Sequence, residues 1–238
     1  MALKVLLTGP SGRVGPHLVA PFRSLYELRT FDLQPSNEPD SFVGDLSDAE
    51  SLRAAMRGVD VVVHLAATSD EAPFLEQLVP NNVIGLYNVF EACRLEKVRR
   101  LVFASTIQGM GFNLKYEKTP VETDVPARPM TLYGATKIWA ETMGHYYHDE
   151  FGLEFIAIRL GAFQPYDSSC FREGWAKDIW LSPRDCVSIF QKAIDTPDLG
   201  HVVVNGTSKT FVEKMSLQSA REILGYEPQD DARDFYLS

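Results

Sequence analysis

Tyr133 and Lys137 stand four residues apart in Leu132-Tyr133-Gly134-Ala135-Thr136-Lys137. On a helix that spacing sets both side chains on one face, with Cβ atoms about 5 to 6 Å apart. A tyrosine with its ordinary pKa of about 10 is a poor base at neutral pH, and a nearby ammonium favours the phenolate. The pair is therefore suited to proton transfer, the lysine activating the tyrosine. Because Tyr-x-x-x-Lys also arises by chance, its surroundings decide. Upstream, Val102-Phe103-Ala104-Ser105-Thr106 reads as a strand ending in two hydroxyls, and a hydroxyl there can hold a substrate oxygen beside the tyrosine.

A second group of residues has a different chemistry. Gly9, Gly12 and Gly15 fall in Thr8-Gly9-Pro10-Ser11-Gly12-Arg13-Val14-Gly15, directly after a short apolar run and at the start of a helical pattern. Such a turn lets the backbone of Ser11, Gly12, Arg13 and Val14 approach a pyrophosphate at a helix N-terminus. Alone, the pattern is also an ordinary glycine-rich turn. Asp32, twenty residues beyond Gly12 at the end of the next strand, adds a carboxylate placed to accept hydrogen bonds from adenosine ribose hydroxyls. A 2'-phosphate would meet like charge there, so the pattern points to NAD. Asp45-Leu46 and Leu65-Ala66-Ala67 are positioned for the adenine and central phosphates. His64 reads as a packed strand histidine, since no partner carboxylate is fixed near it.

The elements that must carry these residues follow from periodicity. Strand-length apolar runs occur at Lys4-Thr8, Leu28-Phe31, Val59-Leu65, Arg100-Ala104, Glu154-Leu160 and His201-Val204. Helical spacing occupies Val14-Arg23, Asp48-Arg57, Asn82-Lys97, Leu132-Phe151 and Pro183-Asp195, with a short helix around Leu217-Leu224. The alternation predicts an α/β fold: a doubly wound parallel sheet of the Rossmann type. Residues 1–238 read as one domain, with 1–160 mainly the NAD-binding core. Residues 161–182 and 205–238 read as substrate-side loops and a small C-terminal substrate-binding region. The stretches Thr106-Met130 and Gly161-Ser182 look irregular and follow strands, where such sheets bind ligands.

With 45% hydrophobic and 23% charged residues the chain has globular composition. A net charge of -9 and the lack of any basic block longer than Arg99-Arg100 argue against nucleic acid as a partner. Cys93, Cys170 and Cys186 form an odd set without metal-ligand spacing, so no metal site is expected and a reducing, cytoplasmic location fits. The opening Met1-Ala2-Leu3-Lys4-Val5-Leu6-Leu7 is only a strand's length of apolar sequence, and no membrane association is expected.

Taken in order, TGPSGRVG, Asp32, HLAA at 64–67, Asn82, FAST at 103–106 and YGATK at 133–137 resemble the extended short-chain dehydrogenase/reductases, the NAD-dependent epimerase/dehydratase family, from about Leu3 to Asp195. The resemblance implies that Tyr133 is the base and that Lys137 is its activator and a nicotinamide-ribose contact. Thr106 then hydrogen-bonds the substrate oxygen, while Ser105 and Asn82 belong to the cofactor side. It also implies a homo-oligomer built on the Asn82-Lys97 and Leu132-Phe151 helices.

Within the family, EQLVPNNVIGLYNVFEA, DVPARPMTLYGATKIWAE and RLGAFQP followed by Phe171-Arg172 are most similar to the uronate dehydrogenases. Those enzymes oxidise C1 of a pyranose uronic acid to an aldarolactone. By that likeness Arg172 binds the substrate carboxylate and Ser69 is a further contact. The alternative is that Arg172 pairs with Glu173 or Asp178 at the surface; by position Phe171 or Trp175 could stack on the ring. The chain departs from their pattern in carrying Ile107 and Gln108 after the catalytic hydroxyl where they have Asn-His, and Ala162 where they have serine. These changes should alter which substrate is accepted. The rival readings are a sugar epimerase or dehydratase and an NAD-binding regulator without catalysis. Only about a hundred residues follow Lys137, Ile107-Gln108 are not acidic, and Tyr133, Lys137 and Thr106 occur together; these features weigh against the rivals.

Overall fold

The computed structural model describes residues 2–36, 38–174 and 176–236, apart from the side chains of Arg172 and Tyr236. The β-branched runs form the strands of a seven-stranded sheet: β1 (Lys4–Thr8), β2 (Glu27–Asp32), β3 (Ser41–Val43), β4 (Val61–His64), β5 (Arg100–Thr106), β6 (Glu154–Leu160) and, at its far edge, β9 (His201–Gly206). A small separate pair, β7 (Ala162–Phe163) and β8 (Trp180–Leu181), lies between β6 and β9 in the chain. The large sheet runs β3-β2-β1-β4-β5-β6-β9, every pairing parallel, with Val5 opposite Val61, Val61 opposite Arg100 and Phe155 opposite His201. Every residue of β4 and β5 is buried, as expected of central strands covered on both faces.

Alternate residues feed two apolar layers. Val5, Leu7, Val61, Val63, Val102 and Ile156 face α1 (Gly15–Leu25), α7 (Pro183–Asp195) and α8 (Gln218–Leu224). Leu6, Val62, Leu101, Phe103 and Phe155 face α2 (Ala49–Met56), α3 (Gly85–Leu95) and α5 (Leu132–Phe151). Capping side chains set the helix starts: Asp48 accepts from the Glu50 and Ser51 N–H groups, Thr131 from Gly134 N–H and Ser182 from Asp185 N–H. Arg100, fully buried, donates to the Ala193 and Ile194 carbonyls at the end of α7 and pairs with Glu154 at 2.7 Å. Its charge thus meets the negative end of a helix.

The expected alternation and its six long strands are present, and the doubly wound parallel sheet is the fold observed. Four local features differ from the periodic reading. The edge strand β3 is three residues long and half exposed, too short to show a pattern. The helix expected to begin at Asn82 is preceded by a π-helical stretch, Phe74–Ile84, which contains Pro80 and leads directly into α3. Pro80 has no N–H to donate, and the wider turn is closed by Gly85 N–H on the Pro80 carbonyl. The stretch after Thr106 is partly ordered, as a 3-10 turn at Ile107–Met110 and α4 (Gly111–Tyr116). The segment after β6 holds β7, β8 and α6 (Cys170–Glu173), and the chain's last described element is α9 (Arg233–Tyr236). Val121 and Met215 form an isolated parallel bridge, tying the C-terminal segment to the loop before α5.

Candidate active site

The strand order reverses between β1 and β4, and the crevice this opens at the strand carboxyl ends holds two adjoining cavities. The smaller, about 280 Å³, is lined by Gly9, Ser11, Gly12, Asp32, Asp45, Leu46, Leu65, Ala66 and Ala67. The larger, about 800 Å³, continues past Gly9, Gly12, Arg13, Val14 and Gly15 to Ser69, Ser105, Thr106, Ile107, Gln108, Tyr133 and Lys137. Gly9, Gly12, Leu65 and Ala67 line both.

The glycine turn has the form that a dinucleotide requires. Gly9 has φ +73°, and a Cβ there would lie 2.8 Å from the Ala66 nitrogen, so only glycine lets β1 and the loop after β4 approach this closely. A Cβ on Gly15 would fall 2.4 Å from the Pro10 carbonyl oxygen. Among the described residues the only near neighbour of a Cβ on Gly12, outside the adjoining chain, is the Gly9 carbonyl oxygen at 3.4 Å, and Gly12 lines both cavities. No side chain among the described residues caps α1; in its first turn Pro16 has no N–H and the His17 N–H donates to the Val14 carbonyl at 3.1 Å, so the Gly15 N–H is the one left to face an anion. Asp32 orders the turn from the other side: its Oδ2 accepts from Ser11 N–H at 3.0 Å and Ser11 Oγ–H at 2.7 Å. These residues fit the diphosphate and adenosine ribose of NAD.

Lys137 is 3% exposed. Its Nζ donates to the Ala104 carbonyl at 2.9 Å and lies 5.7 Å from the Tyr133 ring centre. Burial pushes its ammonium down to about 7. Burial raises the Tyr133 phenol, as does the Asp70 carboxylate, and Arg13 opposes them. Among the described residues no protein group hydrogen-bonds the Tyr133 hydroxyl, so it is available to a ligand in the cleft. Thr106 Oγ1 accepts from Gln108 N–H at 3.2 Å, which leaves its own proton to donate. His64 is packed as expected: it is 1% exposed, its Nδ1 lies 2.8 Å from Thr8 Oγ1, and burial lowers it to about 3.

Several expected contacts sit differently. Asn82 is turned away from both cavities, because its amide holds the Thr68 N–H and carbonyl at 2.8 and 2.9 Å; the adjacent Asn81 lines the smaller cavity instead. Ser105 reaches the cleft, but its hydroxyl donates to buried Glu141 at 2.5 Å, which is also held by Arg159. Gln108 lines the cleft with both amide ends engaged, donating to Asp70 at 3.1 Å and accepting from Thr131 at 2.9 Å. The Phe171 ring packs on Trp180 and Phe235, each 5.3 Å away, and does not line the cleft. The Arg172 side chain and all of Trp175 lie outside the described residues. Residues to which the sequence assigns no role in the site also line the larger cavity: Asp70, Leu114, Lys115, Met130, Gln164, Asp178 and Lys214. Leu114 and Lys115 lie on the short helix α4, Met130 and Gln164 fall in DVPARPMTLYGATKIWAE and RLGAFQP without a role of their own there, and the others come from loops.

Residues 5–164 match the NAD dependent epimerase/dehydratase family. The chain belongs to that family. An NAD-dependent glucose-6-phosphate dehydrogenase of Haloferax volcanii is 34% identical over 97% of this chain and 95% of its own length. A uronate dehydrogenase of Agrobacterium fabrum is 35% identical over 98% of this chain and 86% of its own. Among solved structures, a mutant uronate dehydrogenase of Agrobacterium tumefaciens complexed with NAD superposes with a TM-score of 0.87, is 32% identical and covers 98% of this chain and 87% of that one. The expected kinship with the extended short-chain dehydrogenase/reductases is borne out. This family member is an NAD-dependent dehydrogenase, and the reading as a regulator without catalysis is set aside.

Proposed function

We propose that the chain oxidises the C1 hydroxyl of a cyclic uronic acid, or a related sugar acid, to a lactone. The observation that carries this reading is the continuity of one crevice from the glycine turn to Tyr133, Lys137 and Thr106. Bound NAD supplies the acceptor for the hydride that leaves C1. Tyr133, with its hydroxyl unengaged by the protein, takes the C1 hydroxyl proton as general base. Lys137 is placed so that its charge favours the phenolate, and Thr106 donates a hydrogen bond to the reacting oxygen. The cofactor is held by Gly9, Ser11, Gly12, Arg13, Val14 and Gly15 at the diphosphate, and by Asp32, Asp45, Leu46 and Ala66 toward the adenosine. Asn82 acts one step back, fixing the Thr68 loop. Ser69 and Ile107 flank the sugar, and Arg172, placed by its position in the sequence pattern, grips the carboxylate through a planar two-bond fork. The chain is further read as a cytoplasmic homo-oligomer. Buried thiols at Cys93 and Cys186 fit a reducing compartment, and Tyr87 on α3 and Tyr146 on α5, about half exposed, offer a contact face.

Steady-state kinetics with glucuronate, galacturonate and the corresponding neutral hexoses test the reading. Acid sugars with NAD should give the highest kcat/KM, and Arg172→Ala should weaken the acids selectively. A wild type that prefers neutral hexoses or NADP would overturn it.

A further inference from the structure

Among the described residues four cations line the larger cavity: Arg13, Lys115, Lys137 and Lys214. Two are already engaged. Arg13 pairs with Asp70 at 3.2 Å, and Lys137 donates to the Ala104 carbonyl. Lys115 and Lys214 carry no ion pair: among the described residues no carboxylate lies within 4.0 Å of either ammonium, and exposed Lys115 has its Nζ 5.1 Å from the Tyr116 ring centre. Lys115 is on α4, just beyond the turn that follows Thr106, and Lys214 is on the segment that follows β9. Both therefore belong to the β5-to-β9 side of the crevice, remote in the sheet from the glycine turn after β1.

Lys214 is not a loosely held surface lysine. It is half-buried, and its carbonyl accepts from Val121 N–H at 2.8 Å. The next residue, Met215, is 1% exposed and packed with Ile107, Met110 and Val121. Leu114 and Ile179 flank this cluster and also line the cavity, so Lys214 borders a cleft with apolar walls. Charge is screened less there than in open solvent, and an oxyanion is bound more firmly. The carboxylate of Asp178 shares this end, with one oxygen engaged by Val212 N–H at 3.1 Å. Its single charge leaves the two lysines in excess.

We propose that Lys214, assisted by Lys115, forms a cationic subsite for the oxyanion on the end of the sugar away from C1. The inference rests on the sugar-acid reading and adds to it a second locus besides Arg172. The same chemistry serves a uronate carboxylate and a phosphate monoester. Two rotatable ammonium groups act as point charges that suit a phosphate dianion, whereas a guanidinium fork matches a planar carboxylate.

Two measurements test this. In steady-state kinetics with glucuronate, glucose 6-phosphate and glucose, Lys214→Ala should lower the ratio of kcat/KM for the acids over glucose at least tenfold, mainly through KM, and Lys214→Arg should restore most of it. The acid that loses more identifies the group the subsite takes. Calorimetric titration of the NADH-loaded protein, which has no hydride acceptor, with inorganic phosphate and with glucuronate gives a readout independent of turnover, and the Lys115→Ala/Lys214→Ala variant should bind at least one of them tenfold more weakly. Equal losses on acid and neutral sugars, or unchanged affinities in the double variant, would overturn the subsite. Should the wild type oxidise none of the sugars while the double variant still loses anion binding, the subsite stands and the sugar-acid reading falls. Selective uronate oxidation that is insensitive to both lysines removes the subsite and leaves the sugar-acid reading in place.

Discussion

At the level of single residues, the site depends on charge placed where water is scarce. Tyr133→Phe removes the proposed proton acceptor and should cut kcat by about 10² to 10⁴ while leaving NAD affinity within a few-fold, as read by turnover and by fluorescence titration. Asp70 permits a finer test. Its negative charge raises the Tyr133 phenol, so Asp70→Asn should lower that pKa and move the acid limb of the kcat/KM profile to lower pH. A limb that stays in place or moves upward would show that Asp70 does not influence the base. Asp70 carried no signal in the sequence: it sits in a loop with φ 61°, and its partners Arg13 and Gln108 are 57 and 38 positions away. Tyr133, Lys137, Thr106 and Asp32 were legible because each lies at a fixed offset from the end of a regular element.

At the level of elements, α5 is located by contact with the turn after β5. A Cβ on Gly134 would lie 2.6 Å from the Gln108 carbonyl oxygen, so Gly134→Ala should push the first turn of α5, and Tyr133 with it, away from Thr106. We expect a loss of turnover of roughly 10²-fold, the scale of a 1 Å misplacement, with circular dichroism unchanged. Near wild-type turnover would show that the turn yields without cost. The long helices were readable because their 3.6-residue period survives burial, and the central strands because burial on both faces leaves short continuous apolar runs. The Asn82 contact, expected from the family resemblance, lines neither cavity: within the π-helical stretch its amide is turned to the Thr68 backbone, and the adjacent Asn81 lines the smaller cavity. The short pieces β3, β7, β8 and α4 are set by tertiary contact and leave no periodic trace.

For the whole molecule, a dinucleotide bound along the crevice touches loops after β1, β2, β4, β5 and β6 and should stabilise all of them together. NAD at a hundred times its dissociation constant contributes about 2.7 kcal/mol, which for a chain of this size raises Tm by roughly 5 to 10 °C. NADP at the same concentration should do much less while Asp32 is present, and Asp32→Ala should narrow the difference; equal shifts in the wild type would count against the NAD assignment. The meeting of the two cavities at Gly9, Gly12, Leu65 and Ala67 has a consequence for inhibitor design. An adenosine-like fragment in the smaller cavity and a sugar acid in the larger one would each bind weakly, but joined by a short tether along Gly12 the second binds at an effective concentration of order millimolar. Selectivity would then come from the sugar half: the adenosine half meets features common to dinucleotide folds, whereas the sugar half meets the side chains of Ile107, Gln108 and Lys214.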